Sequence, residues 1–346
     1  MLFRRLLLLL FASLFPVLLV AQANLLARLR LDSTRTKRLR LADSLLTARY
    51  HRLTYDTLYL ARPSLDITIK VRMNVSGNSI RTRGKYEDFS IANNMETDHN
   101  LSTSIGISYR GISLGLSLNP DKLSGRNHNT ELNLSIYNNR YGIEASYQDA
   151  RDYHGTTIID DASTDFPSDV VSSKLLNLSA YYVFNHRRFS FPAAFTQSYL
   201  QRRSAGSWML ALSGFGGEIL ARRSETIQIP DVVLRIGDIG LGGGYGFNWV
   251  LPRRWMLHGS AVTTLVCGSF NRLTIDGQRQ TVPYVFPEFI LTERFSALHY
   301  FNDRHFVALT FVMNNTFSGR MGGQHMSYDH WRLRVCYGFR FSLSKN

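Results

Sequence analysis

The 346-residue chain holds only two cysteines, which excludes a disulfide-dense scaffold and any multi-cysteine zinc or iron–sulfur framework. Acidic residues are scarce: 26 Asp and Glu face 40 Lys and Arg, a formal charge of +14. Charged residues of both signs make up only 19% against 44% hydrophobic, too apolar a balance for a disordered chain. Long apolar runs are missing after residue 23, and no later stretch approaches the ~20 residues that a membrane-spanning helix needs.

One short apolar run is present, at the start. Arg4 and Arg5 precede Leu6–Val20, and Ala21-Gln22-Ala23 offers small residues for cleavage, so residues 1–23 read as a secretory signal peptide. The run is too short to anchor the chain, and no cysteine follows it to take a lipid. An exported protein without a helical anchor is either soluble or an outer-membrane barrel.

From Leu65 onward hydrophobicity alternates at period two. Leu65, Ile67, Ile69, Val71, Met73 and Val75 interleave with Asp66, Thr68, Lys70, Arg72 and Asn74. The last such run has Trp331, Leu333, Val335, Tyr337, Phe339, Phe341 and Leu343 against Arg332, Arg334, Cys336, Gly338, Arg340 and Ser342. These runs match the ~9–11 residues of a membrane-crossing strand and exceed the ~5–6 of a globular one. Further strands are expected near 100–110, 112–119, 130–137, 141–149, 174–185, 206–216, 239–250, 254–266, 285–299 and 304–314. The reading is an all-β, transmembrane, antiparallel up-and-down barrel of about 12 strands over residues 63–346.

The connections sort by length. Segments 76–99, 120–129, 150–173, 217–238, 267–284 and 315–330 are long, as outward loops are. Arg110-Gly111, 138–140, 251–253 and 300–303 are tight and flanked by Tyr109, Tyr137, Tyr141, Trp249, Trp255, Tyr300 and Phe301, an aromatic girdle at the periplasmic side. Both chain ends would then be periplasmic. The exception is 186–205, which carries Phe191, Pro192, Phe195, Gln197, Tyr199, Arg202 and Arg203. It reads as a segment folded under or into the barrel mouth, or as a short extra hairpin.

Several local strings bear a family likeness: Asp56-Thr57-Leu58-Tyr59, the strand opening at Asp66-Ile67, Tyr109-Arg110-Gly111-Ile112-Ser113, and Phe191-Pro192-Ala193-Ala194-Phe195 followed by Ser204-Ala205-Gly206-Ser207-Trp208. Over roughly 55–343 the chain resembles a Bacteroidota family of exported barrels, domain of unknown function 4421. The resemblance implies an outer-membrane barrel and brings no activity or catalytic residue. The last strand, with Gly338, Phe341 and Leu343, also looks like the signal read by the barrel-assembly machinery, although the chain continues to Asn346.

Residues 24–62 form a basic arm with nine Lys and Arg against three Asp. Leu39, Ala42, Leu46 and Arg49 follow helical spacing, so the arm reads as a membrane-surface helix or a solvated periplasmic linker. Outer-membrane lipid and an anionic solute or envelope surface are the expected partners, and export excludes nucleic acid.

Closing the barrel brings the first strand against the last. Lys70, Arg72, Arg332, Arg334 and Arg340 then form a basic lumen patch, because a lipid-facing Arg at mid-depth costs about 2–4 kcal/mol. Glu131 and Glu144 face inward from other strands. Such charges either form separate rows that select anionic solutes or pair with one another and fill the lumen. A twelve-stranded lumen falls between filled and open barrels, so any pore is narrow or plugged. A conduit or solute-binding barrel is the leading reading; a hydrolase and an envelope-organising barrel are the alternatives.

Ser327, Asp329 and His330, in the loop expected before the last strand, are the residue types of nucleophilic hydrolysis. Neighbours on extended backbone point to opposite faces, however, which argues against a triad. No zinc-ligand spacing, metal site or cofactor motif is present. Gly242-Gly243-Gly244-Tyr245-Gly246 lies inside a strand pattern and reads as close packing, not as a phosphate loop.

Overall fold

The computed structural model describes residues 44, 47, 48, 50, 52 and 54–342, except 87–88, 110–111, 119–128, 161, 167–169, 223–230, 282–285 and 322–323. The leader, most of the basic arm, the Arg110-Gly111 turn and residues 343–346 lie outside the described residues. Of the arm, Ser44, Thr47, Ala48 and Tyr50 are helical.

Twelve long strands form the wall: β1 (Ile67–Tyr86), β2 (Asn100–Tyr109), β3 (Ile112–Leu118), β4 (Thr130–Tyr137), β5 (Tyr141–Ala150), β6 (Val171–Val183), β7 (Ala205–Ala221), β8 (Val232–Leu251), β9 (Trp255–Ser269), β10 (Phe289–Tyr300), β11 (His305–Met321) and β12 (Gln324–Phe341). Each adjoins the next in the sheet. The ring closes where β12 pairs with β1, antiparallel, from Phe341 opposite Ile67 to Gln324 opposite Gly84. A sheet closed in this way leaves no edge with unpaired backbone groups, the condition for crossing a bilayer with strands. No helix among the described residues is long and apolar enough to cross a membrane.

Period-two patterning becomes two surfaces. Leu132, Leu134 and Ile136 on β4 are 64%, 62% and 52% exposed, and Ile105, Leu178, Leu212, Leu241 and Leu309 continue the same outer belt. The alternate residues Ser76, Ser104, Gln148, Ser213, Thr264 and Thr310 are buried inside. Gly242 and Gly244 sit where a Cβ would strike the backbone of β9, so the glycine run permits a close strand approach.

The structure departs from the sequence reading at the end with the long connections. Segments 76–99 and 315–330, expected as loops, are largely strand, because β1, β11 and β12 run on well past the apolar belt. Their backbone pairing continues across the seam, and Phe89–Thr97 and Tyr153–Ile159 extend the wall further. The outer face turns polar there while Ile80, Met95, Met326 and Tyr328 point inward, so the apolar-out pattern lapses while hydrogen bonding does not.

Above mid-height the lumen is packed with apolar side chains. Ile80, Tyr153, Leu175, Phe215, Ile236 and Tyr328 belong to one buried cluster, with the Phe215 and Tyr328 rings stacked at 5.3 Å. Each such side chain withdrawn from water contributes roughly 1.5–3 kcal/mol. This layer lies across the lumen on the side of the long connections.

Candidate functional site

The opposite mouth is closed by the connection between β6 and β7. A single helical turn, α1 (Phe191–Phe195), starts at Ser190, whose hydroxyl accepts the Ala193 N–H at 3.2 Å, and Pro192 sits in its first turn. Phe189, Phe191, Ala193 and Ala194 are fully buried. The Phe191 ring lies 4.9 Å from Tyr181 and 5.6 Å from Phe195. Beyond the turn, Gln197 and Tyr199 are buried, whereas Arg202 and Arg203 are exposed. The Asn248 side chain donates to the Ser190 carbonyl at 3.0 Å and to Gln201 Oε1 at 2.9 Å, and His258 bonds Asn248 at 2.7 Å.

The lead-in to β1 packs on the same segment. Leu60–Ala61 pairs with Leu200–Gln201, and the Arg62 guanidinium sits 3.5 Å above the Tyr199 ring. Arg202 donates to the Thr57 carbonyl at 3.2 Å. The basic arm expected over 24–62 thus overlaps a packed stretch at 54–62.

Two inward cations hold the end of α1. The Lys70 ammonium donates to the Thr196 carbonyl, and Arg340 Nη2 donates to the Gln197 carbonyl at 2.9 Å. Ser296 Oγ adds a bond to the Ala194 carbonyl at 3.1 Å. Carbonyls past a helical turn have no partner within it, and cationic donors satisfy them well. Arg340 also lies over Phe306, 4.7 Å from the ring centre.

Between this plug and the apolar layer lies a charged middle. Arg294 Nη2 meets Glu144 Oε2 at 2.6 Å, and the Tyr137 hydroxyl donates to the same carboxylate at 2.5 Å. Glu131 takes Arg332 at 3.5 Å, His330 at 3.6 Å and the Ser76 hydroxyl. Arg334 Nε donates to Asn74 Oδ1 at 2.6 Å. Arg72 lies against Gly106, its Nη2 3.0 Å from where a Cβ would stand. Among the described residues Lys70, Arg72, Arg334 and Arg340 make no ion pair. The middle therefore holds paired charges beside basic side chains that make no ion pair among the described residues. Arg294 was missed because Pro287 interrupts its strand pattern. Its inward position was nonetheless readable from the parity of Ile290, Thr292 and Ser296.

The cluster 325–330 is part of β12, not a loop. His330 faces the lumen, bonding Asn78 at 2.8 Å. Asp329 is on the other face with Arg81 at 3.4 Å and Ser79 at 3.2 Å, and Ser327 shares that face. The fold does not bring the three together. Cys267 is exposed and Cys336 buried, both as free thiols on non-adjacent strands. Among the described residues no group of three His, Cys, Asp or Glu could hold a metal ion.

These features define a class: a closed, transmembrane, twelve-stranded barrel whose lumen is filled by its own side chains and by one re-entrant connection. Within that class the chain belongs to the family described as Domain of unknown function (DUF4421), whose profile matches residues 54–341. No curated protein sequence matches it. Among solved structures it is similar to the outer membrane protease OmpT from Escherichia coli, at 8% identity and a TM-score of 0.37, over 84% of this chain and 100% of that one. It is similar to the translocator domain of autotransporter NalP from Neisseria meningitidis, at 9% identity and a TM-score of 0.32, over 88% and 96%. The toluene transporter TodX from P. putida matches at 9% identity and a TM-score of 0.27, over 81% and 91%.

Proposed function

We propose that this protein is an outer-membrane barrel, both termini periplasmic, that binds an anionic solute in a closed basic lumen and does not conduct at rest. One observation carries the reading. At mid-height six inward cations (Lys70, Arg72, Arg294, Arg332, Arg334 and Arg340) face Glu131 and Glu144 between an apolar layer and a packed plug, while the buried carboxylates Asp238, opposite Phe215, and Glu288 lie at the apolar layer. Each uncompensated ion held away from water costs several kcal/mol. An anion seated beside Arg72 and Arg334 supplies the missing charge, and arginine forks suit carboxylate or phosphate oxygens.

The plug and the apolar layer stand across any axial path, which favours binding over a standing pore. A conduit requires residues 184–204 to move. Hydrolysis has no support from the placement of Ser327, Asp329 and His330, and nothing favours an envelope-organising role over binding.

The test uses the full chain folded in detergent, titrated calorimetrically with inorganic phosphate and with chloride, alongside planar-bilayer recording. Saturable phosphate binding, weakened by Arg72→Gln and by Arg334→Gln, is expected, with no conductance from the wild type. Phosphate binding that is absent or indifferent to both substitutions rejects the reading, as does steady conductance of the unmodified barrel.

A further inference from the structure

A recess of about 920 Å³ lies at the end of the barrel with the long connections. Parity decides which side of the wall it occupies. Along β1 the even-numbered residues Lys70, Asn74, Ser76 and Ile80 are buried inside, so Arg81 and Arg83 project from the outer face. Register carries that face sideways without a break: Phe289, Phe317, Ser327, Arg81, Asn94 and Thr156 are successive cross-strand partners. All six line the recess. It therefore belongs to the outer face of the wall.

Its height is set by the apolar belt. Trp331 packs over Gly77 and meets the His99 ring at 5.3 Å, closing the belt on this part of the wall. Beyond it the outer-face residues become Asp329, Ser327 and His325 on β12, and Ser79, Arg81 and Arg83 on β1. The recess thus straddles the level where acyl chains give way to headgroups. One wall is apolar, with the Phe289 and Phe317 rings 4.7 Å apart and Phe286 67% exposed. The other is basic. The carboxylates on this face are Asp329, paired to Arg81 at 3.4 Å, Glu96 opposite Ser79, Asp165 opposite Thr156, and Glu293 lower on the strand of Phe289. Arg83 makes no ion pair among the described residues.

We propose that this recess seats an anionic, phosphomonoester-bearing lipid of the surrounding leaflet, its phosphate on Arg83 and Arg81 and its chains along Phe289 and Phe317. The site rests on the outer-membrane placement but is independent of anion binding in the lumen. A juxtamembrane Arg contributes about 1 kcal/mol toward an anionic headgroup, and the apolar wall selects a lipid over a free anion.

The experiment is native mass spectrometry of the full chain in detergent micelles with three probes: diphosphoryl lipid A, phosphatidylethanolamine and inorganic phosphate. One saturating lipid A per barrel is expected, bound more tightly than phosphatidylethanolamine. Arg83→Gln should weaken lipid A roughly fivefold and leave phosphatidylethanolamine unchanged. Phe317→Ser should weaken both lipids, and heat-modifiable gel migration reports whether each variant is folded. Equal affinity for the two lipids, an Arg83→Gln variant that binds lipid A as before, or displacement of lipid A by inorganic phosphate at matched concentration would each overturn the proposal. Lipid A binding as expected, with phosphate binding that is absent or indifferent to Arg72→Gln and Arg334→Gln, would sink the lumen reading alone.

Discussion

Glu144→Gln isolates the charge balance of the lumen. Glu144 on β5 and Arg294 on β10 tie distant parts of the ring together, at 2.6 Å between Oε2 and Nη2 and 3.3 Å between Oε1 and Nε. The Arg294 side chain is 1% exposed and that of Glu144 18%. Glutamine keeps the shape and a hydrogen-bond acceptor for Tyr137 but removes the negative charge, leaving Arg294 buried without a counter-ion. Breaking one side of a buried pair costs about 3–5 kcal/mol. At 1.36 kcal/mol per decade this lowers the folded-to-unfolded ratio by roughly two to nearly four powers of ten. Reversible urea titration of the barrel in lipid vesicles, followed by tryptophan fluorescence, should give a lower midpoint with an unchanged slope. Removing both partners, as Glu144→Leu with Arg294→Met, should recover most of the loss, since a matched apolar pair carries no desolvation penalty. A loss below about 1 kcal/mol for Glu144→Gln, or a double variant worse than the single, would refute the argument.

Three further outcomes are expected. With Cys267 and Cys336 both replaced by Ser, a thiol installed as Ala194→Cys should resist maleimide in that background and react readily once Lys70→Met and Arg340→Met release the Thr196 and Gln197 carbonyls; equal protection with and without those two changes would show that these cations do not hold the plug. Gly338→Ala should destabilise the barrel by about 1–3 kcal/mol in the same urea assay, because a Cβ there overlaps the buried Phe306 ring. Leu134→Arg, on the lipid face, should cost about 2–4 kcal/mol, whereas Ser135→Arg, on the inner face beside Glu144, should cost far less; similar penalties at the two positions would contradict the assigned faces.

The strands were legible because one physical rule governs them. A wall with lipid outside and polar groups inside needs alternation, so Ile67 to Val75 and Trp331 to Phe341 announced themselves, and the two runs do meet across the seam. Where that rule lapses, sequence reading lost the wall: past Val75 and before Trp331 the outer face is polar and the apolar residues Ile80, Met326 and Tyr328 point inward, and hydrogen-bonded strand was taken for loop. Arg294 was missed for a related reason, since its run alternates weakly behind Pro287.

Composition, period and loop length thus determined a barrel, its approximate strand number and which residues point inward, because each of these follows from local geometry repeated along the chain. Tertiary structure decided between the mouth and an extra hairpin for the segment of α1, and it alone showed that Lys70 and Arg340 hold its carbonyls and that Arg72 and Arg334 have no ion-pair partner among the described residues. Those contacts join residues far apart in the chain, such as Lys70 to Thr196 and Glu144 to Arg294. Their pairing depends on how the ring closes, which no local pattern encodes.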